Sequence, residues 1–218
     1  QAGLFAANER LTRRDSLFYG RDYETYMSRL LSRSSTHSLG NPAHVSSLTG
    51  LPVGTSFVAG EGQLDRYWQA ANSLALFGQV DWHVSEALTL TGGLRWTDET
   101  KSMAAAYENT DGGAACGAAL DRGVRNATLC LPWSNPAFNG LRQADEVTDR
   151  AFTGMARAEY RFDEASRVYA SWSRGRKNGG FNLDRGQTDL VPDASRAYGT
   201  EKVESWEAGV KSLQLDRR

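Results

Sequence analysis

The sequence predicts an all-β fold, an antiparallel meander of about six strands from the wall of a transmembrane β-barrel. Three observations carry this. Alternation of apolar and polar residues with period 2 recurs along the chain. The connections between alternating stretches run long, short, long, short, long. The apolar faces are rich in glycine and alanine, which fill a protein core poorly but suit fluid lipid chains.

The first strand is predicted near residues 3–11, within "QAGLFAANERL". The second covers about 68–84, with Leu74, Leu76, Gly78, Val80, Trp82 and Val84 on one face. Phe77, Gln79, Asp81 and His83 share the other. The third covers about 88–103, with Leu88, Leu90, Gly92, Leu94 and Trp96 opposite Thr89, Thr91, Gly93, Arg95 and Thr97. The fourth, about 150–162, sets Phe152, Gly154, Ala156, Ala158, Tyr160 and Phe162 against Arg157, Glu159 and Arg161. The fifth lies near 167–177, with Val168, Ala170 and Trp172 on its apolar face. The sixth lies near 201–212, with Trp206, Ala208 and Val210 opposite Glu207 and Lys211.

Residues 12–67 form the first connection, "SEA" the second, a stretch holding both cysteines the third, "DEAS" the fourth and residues 178–200 the fifth. In a meander every second connection emerges at the same end. All tight turns therefore share one end and all long loops the other. Outer-membrane barrels show this asymmetry, with short periplasmic turns and long extracellular loops. A sandwich has the same water at both ends and no reason for it. On this reading the charged face lines a hydrated lumen and the apolar face meets lipid. Trp82, Trp96, Tyr160, Phe162 and Trp172 form interfacial girdles. A soluble sandwich or small barrel would instead use the apolar face as its core. One loop helix is predicted over about residues 23–32, where Tyr23, Tyr26, Met27, Leu30 and Leu31 recur at helical spacing behind Asp22.

Composition excludes other classes. The net charge of −1 argues against a nucleic-acid surface. No apolar run reaches the roughly 20 residues of a spanning helix. Mean hydropathy of −0.52 is silent about a barrel, whose strands are only half apolar. No catalytic residues, metal site or cofactor are expected. His37 and His44 lie in a serine-rich loop without an ordered carboxylate, and no nucleophile elbow occurs. Cys116 and Cys130 read either as a disulfide stapling one loop, which implies an oxidising compartment, or as two unpaired thiols. Arg174, Arg176 and Lys177 in "SWSRGRKNGGFN" are the candidate ligand-binding residues on the extracellular side. Contact with lipopolysaccharide phosphates and a plain charged strand end are the other readings.

Three motifs carry a family resemblance. "LALFGQVDWHVSEALTLTGGLRWTDETK", "VYASWSRGRKNGGFN" and "EKVESWEAGVKSLQLDRR" occur in the order and spacing of TonB-dependent outer-membrane receptors, which they resemble. The resemblance covers about residues 74–218 apart from the cysteine loop, and the first seventy residues fit more loosely. It implies a 22-stranded barrel around an N-terminal plug, with uptake of a scarce ligand such as a ferric siderophore energised through TonB. Residues 1–218 are then expected to be a partial barrel domain, without the plug or the barrel's last strand. Implied partners are outer-membrane lipid and lipopolysaccharide, the TonB complex through the plug, and a small-molecule ligand. The implied location is the outer membrane of a Gram-negative bacterium. Arg176 stands where the family usually has an aromatic. A passive porin-like channel and a secreted all-β binding module are the alternative functions.

Overall fold

A computed structural model describes residues 1–32, 41–185 and 196–213. Its main sheet has six antiparallel strands in simple sequence order. They are β1 (Ala2–Phe18), β2 (Gly62–His83), β3 (Leu88–Ala106), β4 (Arg142–Arg161), β5 (Ser166–Lys177) and β8 (Glu201–Ser212). Between the last two, β6 (Gly180–Phe181) and β7 (Ala197–Tyr198) form a small separate ladder. Helices α1 (Tyr23–Ser32), α2 (His44–Thr49) and α3 (Ala114–Asp121) belong to the long connections. The sheet is not closed, as expected for part of a barrel wall.

The register aligns the apolar faces. One row runs Val80, Gly92, Ala156, Trp172, Trp206, and the next runs Trp82, Leu90, Ala158, Ala170, Ala208. Leu76, Val80, Leu94 and Phe152 are each about 60% exposed or more. No second layer covers this face among the described residues. Bulky Trp172 lies opposite small Ala156, an uneven relief that lipid chains can fill. Ten residues separate Phe152 from Phe162. At about 3.4 Å per residue and a tilt near 40° they rise roughly 26 Å, the height of a barrel's apolar band.

The tight turns use side-chain acceptors. Ser85 Oγ accepts the Leu88 N–H at 3.0 Å, and Asp163 Oδ1 accepts the Ala165 N–H at 2.7 Å. Such local hydrogen bonds replace the ladder where the chain reverses.

Strand boundaries near the turns agree with the sequence reading, but those at the far end extend well past it. β1 continues to Phe18, β2 begins at Gly62, β3 reaches Ala106 and β4 begins at Arg142. These extensions rise above the apolar band. There the outward residues face water, so apolar alternation, the signal used to find strands, disappears. α1 occupies its predicted residues, yet its buried side is shifted. Tyr26 and Leu30 are exposed, whereas Glu24, Met27 and Ser28 are buried. The buried Glu24 carboxylate accepts the N–H groups of Gly54, Ser56 and Phe57 at 2.7, 2.9 and 3.2 Å. Ser28 Oγ accepts that of Val45 at 3.1 Å. The helix thus organises its loop through polar groups as much as through its apolar stripe.

Candidate functional site: the loop cap and lumen wall

The polar face is internally paired. Thr91 donates to Asp81 at 2.7 Å, and Arg157 pairs with Glu159, which Arg167 also approaches at 3.4 Å. Tyr169 donates to Glu207, and the Arg157 guanidinium lies 4.8 Å from the Tyr169 ring centre. These pairs, across strands and, for Arg157–Glu159, along β4, set lumen charges against each other. Higher on the wall, Arg95 has no carboxylate partner among the described residues. It lies 5.3 and 5.8 Å from the rings of Phe5 and Phe77 and donates to Thr97 at 3.1 Å. Together with Glu99 and Lys101 these groups border a broad concavity of about 790 Å³ on the inner face.

The long connections fold over that same face. Tyr19, Met27, Val45, Phe57, Ala115, Ala119 and Leu129 form one core shared by the first and third connections. Tyr19 stacks on Tyr23 at 5.0 Å, and Trp133 Nε1 donates to the Tyr23 hydroxyl at 3.1 Å. Burial pushes the hydroxyl pKa values of Tyr19 and Tyr23 upward. Cys116 and Cys130 are bonded, with Cα atoms 4.8 Å apart, which ties α3 to the segment before Leu131. Asp111 lies at the base of α3. Burial raises its carboxyl pKa, although the Gly113 N–H donates to it at 2.9 Å.

A second core contains Tyr67, Ala105, Tyr107 and Phe138, with Leu141 and Leu183 packed against it. At its centre is the ion pair Arg185–Asp65, with side-chain exposures of 3% and 0%. Arg185 donates to both Asp65 oxygens at 2.6 and 2.8 Å, to Asn109 Oδ1 at 2.6 Å, and to the carbonyls of Pro132 and Glu108 at 3.0 and 2.9 Å. All five N–H donors of the guanidinium are thus engaged. Its plane also lies 4.8 Å from the Phe138 ring centre. Asp65 accepts further from Tyr67 and Gln63, at 3.0 and 2.9 Å. One arginine in the fifth connection therefore joins β2 and the third connection.

Of the three cations singled out in the sequence, Arg174 and Arg176 border the same concavities and Lys177 does not join them. Arg174 and Arg176 fall on the strand face that carries Trp172, with outward parity, whereas Lys177 has the lumen parity. Each has a carboxylate nearby: Arg174 with Glu204 at 3.7 Å, Lys177 with Glu201 at 3.3 Å, and Arg176 with Asp149. Asp149 also accepts the Thr200 hydroxyl at 2.7 Å and the Gly179 N–H at 2.8 Å. Lys101 donates to the Gly179 carbonyl at 3.0 Å, which draws the fifth connection inward over the wall. Asp65, Asn109, Asp149 and Arg185 escaped the sequence reading. Asp65 and Arg185 are 120 positions apart, and no local pattern links them. His37 lies outside the described residues, and His44 begins α2. Among the described residues no cluster of three His, Cys, Asp or Glu could hold a metal ion.

Residues 3–218 match the family described as TonB dependent receptor-like, beta-barrel. The fold is similar to the crystal structure of the ferric yersiniabactin uptake receptor FyuA from Yersinia pestis, with a TM-score of 0.50 and 18% identity. That match covers 71% of this chain and 20% of the FyuA chain, so the sequence spans about a fifth of that receptor's structure. The family comprises outer-membrane receptors and transporters of Gram-negative bacteria rather than a class of enzymes. The ordered meander, the lipid-suited face and the family match agree: the chain belongs to the TonB-dependent receptor β-barrel family.

Proposed function

We propose that this chain forms wall and outer vestibule of an active transporter that takes up a scarce ligand, such as a ferric siderophore, with energy delivered through TonB. The observation carrying this reading is the cap. Three long connections share two cores and fold over the polar face at one end of the sheet. A vestibule built this way selects a ligand before it reaches the lumen. The ligand named for FyuA belongs to the same class as the one proposed here. A plug would occupy the lumen side and carry the contact with TonB. Lys177 is our assignment for contact with an anionic ligand. Its lumen parity and its position 5.9 Å from the Tyr198 ring centre support this. Arg174 and Arg176 also border the inner concavity, and Asp149 holds Arg176 there.

The test is uptake of radioiron from a panel of ferric siderophores by cells expressing the intact receptor, with and without TonB. We expect uptake of at least one siderophore that stops when TonB is removed. Iron uptake unaffected by TonB, together with free permeation of small sugars through receptor-containing liposomes, would establish a passive channel instead.

A further inference from the structure

The Arg176 side chain passes through the wall. It starts on the outward face of β5 with Trp172 and Arg174, whereas Asp149 stands on the lumen face of β4 with Arg157 and Glu159. The two pair because the backbone between them is open. The β4–β5 ladder ends at Gly154–Arg174, while β5 runs on to Lys177 along β8. The Arg176 guanidinium spans that gap, donating to the Arg150 carbonyl at 3.2 Å and to the Thr200 hydroxyl at 3.0 Å. Asp149 in turn accepts the Gly179 N–H at 2.8 Å and the Thr200 hydroxyl at 2.7 Å. Gly179 and Thr200 are the two legs of the fifth connection, and the β6–β7 ladder lies between them. One carboxylate therefore clamps both legs, and one guanidinium holds the carboxylate. A Cβ at residue 179 would stand 2.6 Å from the Tyr198 carbonyl oxygen and 3.3 Å from Asp149 Oδ2, so only glycine permits this approach. Arg176 Nε is buried without a hydrogen-bond partner among the described residues. A buried donor left unpaired is costly, so stability alone does not account for an arginine here. The aromatic usual at this position in the family would avoid that cost but could form no ion pair with Asp149.

We propose that Arg176 is a positioning residue for ligand selection. Acting through Asp149, it seats the stem of the fifth connection at the rim of the inner concavity and so sets the affinity with which ligand is taken up. The inference rests on the transporter reading above. Arg176 acts without touching the ligand. The stem has a seated form, clamped to the wall, and a released form in which Gly179 and Thr200 have left Asp149. Lys101, which donates to the Gly179 carbonyl at 3.0 Å, tethers both forms. The clamp also keeps Tyr198 beside Lys177, the cation assigned above to an anionic ligand. A ligand that needs the seated stem binds more weakly in proportion to the fraction released. Losing one charge-assisted contact shifts such a balance by about ten-fold.

The test measures radioiron uptake by cells expressing the intact receptor, across concentrations of each ferric siderophore in the panel, with receptor copies per cell counted. Arg176→Met should raise the half-saturating concentration about ten-fold and leave the maximal rate per receptor unchanged. Arg176→Lys keeps a charge for Asp149 but loses the planar fork, and should raise it about three-fold. The Gly179 and Asn182 amides donate to Asp149 and to the Arg196 carbonyl. Their hydrogen exchange should accelerate about ten-fold in Arg176→Met, while that of Gly93 stays unchanged. A purely structural role would instead lower the maximal rate for every siderophore alike, at fixed half-saturation, and that result overturns the proposal. So does unchanged exchange at Gly179. Should Arg176→Met fail to assemble, Arg176→Lys carries the test, and an unchanged half-saturation there overturns the proposal. Absence of TonB-dependent uptake by the unaltered receptor refutes the transporter reading itself, a distinguishable result.

Discussion

Replacing Arg185 with methionine in the intact receptor should release the fifth connection from the cap. The guanidinium makes five hydrogen bonds, two of them to a carboxylate with no exposed surface. Removing one partner of a buried ion pair typically costs about 3–5 kcal/mol, because the other charge is left without its counter-ion. Asp65 would keep Tyr67 and Gln63, and the Glu108 N–H at 3.3 Å, so the lower end, about 3 kcal/mol, is expected here. That corresponds to roughly a hundred-fold rise in local opening. Amide hydrogen exchange reads it directly. The Leu64 N–H donates to the Glu108 carbonyl, which Arg185 also holds, and the Glu108 N–H donates to Asp65. Exchange at both should accelerate by about that factor, while amides of Gly93 and Leu94 in the apolar band stay unchanged. The double variant Asp65→Asn/Arg185→Met should recover part of the loss, since no lone charge is left behind. Acceleration under about three-fold at Leu64 and Glu108, or equal acceleration in the band, would refute the anchoring role.

Four further outcomes follow from the same structure. Replacing Cys116 and Cys130 with serine should cost the cap about 3 kcal/mol, the scale for closing a loop this short, and open residues 117–129 to limited proteolysis. Glu24→Ala strands three backbone N–H groups and should destabilise the first connection by at least about 2 kcal/mol, seen as cleavage within residues 51–60. Asp111 binds its proton more tightly folded than unfolded. The cap should therefore be most stable below the ordinary aspartate range and weaken as pH rises from there through the raised folded value. Asp111→Asn should abolish that slope and stabilise the cap at neutral pH, measured by proteolysis across a pH series. Ala156→Arg puts a charge on the lipid face mid-band and should cost about 2–4 kcal/mol in equilibrium refolding into vesicles.

The membrane-spanning register was legible because lipid and lumen impose opposite demands on alternate residues. Leu90, Leu94, Arg95 and Thr97 follow that rule and fell on the expected faces. The tight turns were legible because Ser85 and Asp163 interrupt the alternation with turn chemistry. Above the band no solvent contrast remains, and so Gly62, Arg142 and their neighbours looked like loop. The cap was legible at α1, where five apolar residues repeat at helical spacing, and at Cys116 and Cys130, whose disulfide was one of two readings. α2 is six residues long, and α3 is mostly alanine and glycine flanked by glycines, so neither announced itself. The buried polar pairs were hidden for another reason. A carboxylate that will meet a guanidinium 120 positions away looks like any surface aspartate.

The shared cores also bear on how such a receptor can change its preference. Surface loops are usually treated as interchangeable modules on a fixed scaffold. Here Tyr107 donates to the Leu183 carbonyl at 2.8 Å, Trp133 meets Tyr23, and Arg185 spans β2 and the third connection. A loop grafted alone from a relative would arrive without its partners. New selectivity must therefore come from concerted exchange of all three connections, or from substitutions at rim positions outside both cores, such as Val53 and Tyr26. Diversification in this wall is epistatic, and recombination breakpoints should be tolerated in the "VSEA" and "DEAS" turns far better than between its loops.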